Sequence, residues 1–275
     1  PYYKQFLSEY KGRLPDTWWA ETGGFNQNAS RELKELIGEK DVFNNPKPVQ
    51  LLTTIFQIGC PADGLVLDFF AGSGTTGHAV IAQNAIDGGV RRYVLVQLPE
   101  PLNSSEEAIG TAFCDRLKRP RNIAELTKER LRRAGAKVKA DNPLFSGDTG
   151  FRVFKLDSSN IRAWQPTGDI GQDLVDNMQH LMAGRSDQDV LYELLLKLGL
   201  DLCVPIEARQ IAGKTVHSIG GGVLLACLDA HIAVADAEAL SLGMAAWHKA
   251  QAPAGDSTDV FRDPSLIHLS RCRRR

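Results

Sequence analysis

The sequence predicts an α/β protein whose first half is built around a parallel β-α-β unit and whose second half is a smaller α/β unit. Three observations carry that reading. Residues 64–83 (GLVLDFFAGSGTTGHAVIAQ) run from an apolar strand through a glycine-rich turn into small helix-forming residues. A second apolar strand, Arg91 to Gln97, follows the turn Asp87-Gly88-Gly89. The segment ADNPLFSGDTG (140–150), dense in turn formers, separates these elements from a later set of helix and strand patterns. With 275 residues, 43% of them apolar, the chain is long enough to bury two such cores.

The first 45 residues alternate aromatic and polar side chains: Tyr2, Tyr3, Phe6 and Tyr10, then RLPDTWW from Arg13, then GGFNQN from Gly23. Such aromatics either form a small satellite core or face a substrate, because Asn, Gln and aromatic side chains hydrogen-bond and stack on bases. SRELKELI (30–37) predicts a short helix capped by Ser30, with Leu33, Leu36 and Ile37 on one side. NPKPVQLL (45–52) opens a second helix reaching to about Ile58, with Pro48 at its first position and Leu51, Leu52, Ile55 and Phe56 expected in the core.

The run Leu65 to Phe70, broken only by Asp68, is expected to be a parallel strand covered on both faces. The chain then turns sharply. Gly72 and Gly74 permit positive φ and leave room for a ligand beside the backbone, while Thr75 and Thr76 begin a helix whose free amides point back at that ligand. Residues 72–77 fit G-x-G-x-x-G, a pattern shared by dinucleotide loops and by structural strand-turn-helix connections. Asp68 weighs against pyrophosphate, since a carboxylate attracts a cation and repels a diphosphate. His78 is a lone helical histidine and is assigned no chemistry. The strand at 91–97 completes a right-handed β-α-β unit, and its end carries Gln97 where a nucleotide-binding unit usually has an acid for the ribose; Glu100 is the alternative for that role.

Asn103 to Pro120 reads as a polar surface insertion with some helix. RNIAELTKERLRRA (121–134) is a helix with Ile123, Leu126, Leu131 and Ala134 on one face, and Lys128, Arg130, Arg132, Arg133, Lys137 and Lys139 making its far side basic. That side is either a solvated face or a surface for phosphates. Beyond the turn-rich segment, Phe151 to Leu156 alternates as a strand, Asp157 to Trp164 is a loop or short helix, and DQDVLYELLLKL (187–198) is a helix ended by Gly199. A hairpin is expected from Arg209 to Leu228 around Gly220-Gly221-Gly222, then a helix from Ala235 to Ala250 and a last strand from Asp259 to Asp263.

The words DFFAGSGTT around the loop resemble the S-adenosylmethionine loop of the amino-methyltransferases that modify DNA bases. Asn45-Pro46-Lys47-Pro48-Val49-Gln50-Leu51-Leu52 resembles the K-P-x-x-L-L element of the same enzymes, and RRYVLVQLPE and IAELTKERLRRA resemble the methylation subunits of type III restriction-modification systems. The resemblance runs from Leu14-Pro15-Asp16-Thr17 to Val260-Phe261-Arg262-Asp263. It implies a Rossmann-like methyltransferase sheet, incomplete at its N-terminal side, followed by a small α/β C-terminal domain. Residues 1–45 would then be a remnant of the DNA-recognition or linker region, 46–140 the S-adenosylmethionine-binding core, and 150–270 an assembly domain. The implied cofactor residues are Lys47, Pro48, Asp68, Phe70, Gly72, Ser73, Gly74, Thr75, Thr76 and Gln97, with Asp68 serving the ammonium group or nearby amides. The implied reaction is methyl transfer to the N6 amino group of adenine in double-stranded DNA, from a base taken out of the stack. A homodimer through the C-terminal domain and the type III restriction subunit are the implied partners.

Such enzymes orient the amine with an Asp/Asn-Pro-Pro-Tyr/Phe motif, which this sequence lacks. No catalytic residue is therefore assigned, and the chain, starting Pro1-Tyr2-Tyr3-Lys4, is expected to be a C-terminal portion, inactive alone. The alternatives are a truncated assembly subunit without catalysis, and an NAD-dependent oxidoreductase, which Gln97, Asp68 and Lys47-Pro48 disfavour. The five cysteines are scattered singly, which argues against zinc and a disulfide framework and suits a reducing cytoplasm. Apolar runs are broken by charge before membrane-spanning length, and the net charge of −1 is uninformative about nucleic acid. His217, His231 and His248 lack a partner pattern, and Arg271 to Arg275 depart from the family's expected ending.

Overall fold

A computed structural model describes residues 24–163, 181–253 and 257–262, together with 19, 171 and 255. The readings placed on Tyr2 to Trp18, Trp164, Asp263 and Arg271 to Arg275 lie outside the described residues. The chain divides into two compact units, 1–151 and 152–275.

In the first unit, α1 (Asn26–Ile37) starts a turn earlier than its sequence pattern indicated. Its buried stripe is Ala29, Leu33 and Ile37, so the apolar face begins before Ser30, which lies inside the helix rather than capping it. Gly38, in the left-handed region, ends it. α2 (Val49–Gly59) is preceded by Pro48 in extended conformation, and the Glu32 carboxylate on α1 accepts a bond from the Val49 amide at 3.1 Å. A carboxylate at this position satisfies an orphan amide and opposes the helix dipole. Of the four α2 residues expected in the core, only Phe56 is fully buried; Leu51 and Leu52 are half-buried and Ile55 is exposed.

Strands β1 (Leu65–Asp68) and β2 (Arg92–Leu95) pair in parallel, Leu65 opposite Arg92 and Asp68 opposite Leu95. Between them runs α3 (Thr75–Asp87). Asn84 near the end of α3 exchanges two hydrogen bonds with the Arg91 backbone, pinning the start of β2 to the helix. One sheet face, with Val66 and Tyr93, packs on Phe56, Ala79 and Val80. The approach is close: a Cβ on Gly77 would stand 2.6 Å from Leu131 and 3.1 Å from Leu95. The opposite face is open among the described residues, with Leu65 and Leu67 58% and 59% exposed and Val94 and Val96 also exposed. This corrects the expectation of cover on both faces. The unbroken apolar run encodes two buried faces, while the described helices supply a layer for one.

The segment read as a polar surface insertion contains α4 (Ala108–Arg116), whose Phe113 and Cys114 join Leu33, Ile37, Val42, Leu102 and Leu126 in a core cluster. Its spacing of Gly110, Thr111, Phe113 and Cys114 hides an apolar face among small and polar residues. α5 (Ile123–Asp141) is capped by the Asn122 side chain, which accepts from the Glu125 amide at 3.0 Å.

Residues 151–156, where the second unit begins, form no strand. Arg152 there donates to the carbonyls of Leu202 and Val204 and to the Tyr192 hydroxyl, and Phe154 meets Tyr192 edge-on at 4.9 Å, so side-chain contacts take the place of a ladder. α6 (Asp187–Leu198) has a reciprocal Ser186–Asp189 capping box and ends at Gly199. A four-stranded sheet follows in the order β3 (Ile206–Ile211), β4 (Lys214–Ile219), β5 (Leu224–Cys227), β6 (Thr258–Phe261). The expected single hairpin is two. The extra turn is Ala212-Gly213, both at positive φ, a two-residue connection that the more conspicuous Gly220 to Gly222 masked in the sequence. β5 and β6 are parallel, joined through α7 (Val234–Gln251). β5 is buried along its length because α6 residues Val190, Leu191 and Leu195 cover one face and α7 residues Leu240, Met244 and Trp247 the other.

Candidate cofactor site

The loop Phe69 to Gly74 leaves β1 and enters α3, and the sheet ladder continues into it: the Val96 amide donates to the Asp68 carbonyl and the Ala71 amide to the Val96 carbonyl. Gly72 and Gly74 both have positive φ, 52° and 80°, and Gly74 is the residue before α3, with no side chain capping that helix. The Asp68 carboxylate accepts from the Phe70 amide at 3.0 Å and from the Thr76 hydroxyl at 2.5 Å. The acid thus holds both sides of the loop. Phe70 is 83% exposed, beside Phe69 at 5.3 Å between ring centres.

Gln97 uses both ends of its amide on the protein. Its Oε1 accepts from the Gly72 amide at 2.7 Å and its Nε2 donates to the Leu98 carbonyl. It therefore fixes the loop rather than offering a free amide, while Glu100 is exposed with its backbone carbonyl tied to the Ile123 amide. Ser73, Thr75 and Thr76 are buried. Thr75 donates to the Lys47 carbonyl at 3.2 Å, joining the loop to the segment before α2, where Lys47 is exposed and Pro48 buried.

Two residues on α5 that the sequence reading left out also hold this loop. The Thr127 hydroxyl donates to the Gly72 carbonyl at 2.5 Å. Arg130, expected on the far basic side, is 1% exposed and donates from Nη1 to Ser73 Oγ and Thr75 Oγ1, each at 2.7 Å. The helical spacing contained the signal: 123, 126, 127, 130, 131 and 134 form one stripe, so Thr127 and Arg130 lie on the apolar face. Burial lowers the Arg130 pKa to about 10, opposed by attraction to Glu32, and the side chain stays cationic at neutral pH. The remaining basic residues of α5 are largely paired along the helix, Lys128 with Glu125, Arg132 and Arg133 with Glu129, and Lys137 with Asp141. This pattern favours a solvated face over a surface for phosphates.

The geometry makes Gly74 a sensitive position. A Cβ there would lie 3.0 Å from Thr127 Cγ2 and 3.3 Å from its carbonyl, in a backbone conformation that L-residues rarely adopt. Gly74→Ala is expected to lower the unfolding free energy by about 1–3 kcal/mol in urea titrations. An unchanged midpoint would mean that the turn tolerates another conformation.

Among the described residues there is no group of three or more His, Cys, Asp or Glu placed to hold a metal, and no helix long and apolar enough to cross a membrane.

Known proteins share these elements. The family described as DNA methylase matches residues 2–93, which contain β1, the loop, α3 and the start of β2. The chain is similar to the StyLTI Mod subunit, a type III restriction-modification enzyme of Salmonella typhimurium, at 36% identity over 53% of this chain and 21% of that protein. It resembles the EcoPI Mod subunit, likewise type III, of Escherichia phage P1 at 31% identity over 80% of this chain and 32% of that protein. The type II methyltransferase M.KpnI of Klebsiella pneumoniae is 33% identical over 47% of this chain and 29% of that protein. The chain spans about a fifth to a third of the length of these relatives. Over residues 2–93, which hold β1, the glycine loop and α3, the chain is similar to the DNA methylases, and over about half to four-fifths of its length it is similar to Mod subunits of type III restriction-modification enzymes.

Proposed function

We propose that this chain is the cofactor-binding and assembly portion of a DNA adenine-N6 methyltransferase of a type III restriction-modification system, and that the loop after β1 takes S-adenosylmethionine. The observation that carries the proposal is the pairing of opposite electrostatic features at one loop. Asp68 offers a carboxylate, and Gly74, the residue before α3, gives that helix's first amides no side-chain cap. A ligand that bears both an ammonium and a carboxylate suits that pair, as the methionine end of S-adenosylmethionine does. A pyrophosphate would meet the Asp68 charge, which disfavours NAD. Asp68, with two of its roughly four lone-pair sites engaged by the chain, keeps acceptor capacity for an ammonium.

In this reading Lys47, Pro48, Asp68, Phe70 and Gly72 to Thr76 form the cofactor site, with the exposed Phe70 ring available to the apolar part of the ligand and Gln97 acting through Gly72. The bound group supplies an electrophilic methyl; the chain's residues bind and orient it. The Asp/Asn-Pro-Pro-Tyr/Phe motif that would orient an adenine amine does not occur in these 275 residues. The open face of β1 and β2 supports a Rossmann-like sheet that is incomplete here, because parallel sheets are covered on both faces. Residues 150–270 are proposed to serve assembly, as a homodimer and with a restriction subunit, on double-stranded DNA.

A titration separates the readings. S-adenosylmethionine should bind saturably and NAD should not, as followed by calorimetry; saturable binding of NAD alone would overturn the proposal. On DNA carrying adenine the chain by itself should transfer no methyl group. Turnover would mean that the orienting residues are present in another form.

A further inference from the structure

Arg130 is a cation placed where stability alone gives no reason for one. It is buried, and among the described residues two of its three nitrogens, Nε and Nη2, have no hydrogen-bond partner. Among the described residues no carboxylate is bonded to it; Glu32 acts on it through space, while the Glu32 Oε2 atom accepts from the Val49 amide. A buried cation without a bonded counter-ion is generally less favourable than an apolar side chain of similar volume. Among the described residues, all that Arg130 bonds is the glycine loop, through Nη1 to Ser73 and Thr75.

Those two bonds fix more than distance. Because an arginine nitrogen only donates, both hydroxyl oxygens must accept, and the Thr75 proton is directed to the Lys47 carbonyl. Ser73 stands between Gly72 and Gly74, the two residues whose backbones have the widest conformational choice. Thr127, one turn before Arg130 on α5, holds the Gly72 carbonyl. The loop is thus tied to α5 at the half-buried Gly72 and the buried Ser73 and Thr75, and Asp68 and the start of α3 are left to meet a ligand.

We infer that Arg130 is a positioning residue: acting through Ser73 and Thr75, it holds the glycine loop and the segment at Lys47 in the one arrangement that binds the methyl donor. The inference rests on the reading of the loop as an S-adenosylmethionine site. Preorganisation of this kind raises affinity by removing the entropy lost when a mobile loop orders on its ligand. Arg130 touches no ligand in this arrangement, and its effect must pass through the two hydroxyls.

The test is a double-mutant cycle on the whole chain between Arg130→Met and the pair Ser73→Ala/Thr75→Val. Two readouts are taken, S-adenosylmethionine affinity by calorimetry and amide hydrogen exchange over residues 72–76. Arg130→Met should keep or raise the melting temperature, speed exchange in the loop by about tenfold or more, and weaken affinity by about tenfold. In the Ser73→Ala/Thr75→Val background the same substitution should change either readout less than about twofold, because the acceptors through which it acts are gone. Equal losses in both backgrounds, or unchanged exchange and affinity in the single variant, overturn the inference. Exchange separates this result from failure of the cofactor reading: a loop loosened by Arg130→Met in a chain that takes no S-adenosylmethionine sustains the positioning role and removes only the ligand assignment. Should Arg130→Met not fold, Ser73→Ala/Thr75→Val must itself loosen the loop, and slow exchange there overturns the inference.

Discussion

Asp68→Asn should lower S-adenosylmethionine affinity by about ten- to a hundredfold while leaving the melting temperature nearly unchanged. The substitution is chosen to separate charge from architecture. Asp68 accepts from the Phe70 amide through Oδ1 and from the Thr76 hydroxyl through Oδ2. Asparagine keeps the first acceptor, and its amide can donate to Thr76, whose hydroxyl then accepts. The loop keeps both ties and loses a negative charge. A hydrogen bond between charged groups is worth about 1.5–3 kcal/mol net, and loss of about 1.4–2.8 kcal/mol is the stated range of affinity. Asp68→Ala should weaken binding at least as much and also lower stability by about 1–3 kcal/mol, since the buried Thr76 hydroxyl loses its partner. Equal affinity for wild type and Asp68→Asn in calorimetry would make Asp68 a structural residue alone and remove the cation from the description of the ligand.

The elements around this loop were legible because each obeys a local rule. An apolar run, glycines at two positive-φ positions and small residues in the helix beyond are all dictated within about twenty residues, and β1, α3 and β2 follow from them. Where tertiary partners decide, the sequence was misleading. Arg130 reads as surface by residue type, yet its place on the Leu126–Leu131 stripe and the hydroxyls of Ser73 and Thr75, over fifty residues away, bury it. Phe151 to Leu156 alternates like a strand but has no ladder to join, since Arg152 and Phe154 find partners on and beyond α6. Leu65 and Leu67 encode a second buried face that the described residues do not cover. Period and propensity report which faces are apolar; they do not report what lies against them.

Acid should destabilise the first unit through His78, the residue for which the sequence offered no chemistry. Its ring sits on α3, and its Nδ1 is buried without a partner among the described residues. Burial comes first among the causes that lower its pKa to about 3, and the nearby charges of Arg130 and Lys137 on α5 act in the same direction. The imidazole is therefore neutral in the folded state down to about pH 3, while in the unfolded chain it takes a proton near pH 6.5. Between those values the unfolded state binds one proton more, so stability rises with pH and falls on acidification, by up to about 1.4 kcal/mol per unit. Arg130 and Lys137 stay protonated throughout this window. Glu32 and Glu35, which face them, are the same in wild type and variant, so their contribution cancels in a comparison. His78→Leu removes the titrating group at similar volume. Relative to its difference from wild type at pH 7.5, the variant should gain about 2 kcal/mol at pH 5, measured by urea denaturation at each pH. Stability curves that run parallel from pH 7.5 to 5 would mean that His78 accepts a proton in the fold, which would require the ring to leave its place beside the Arg130 guanidinium.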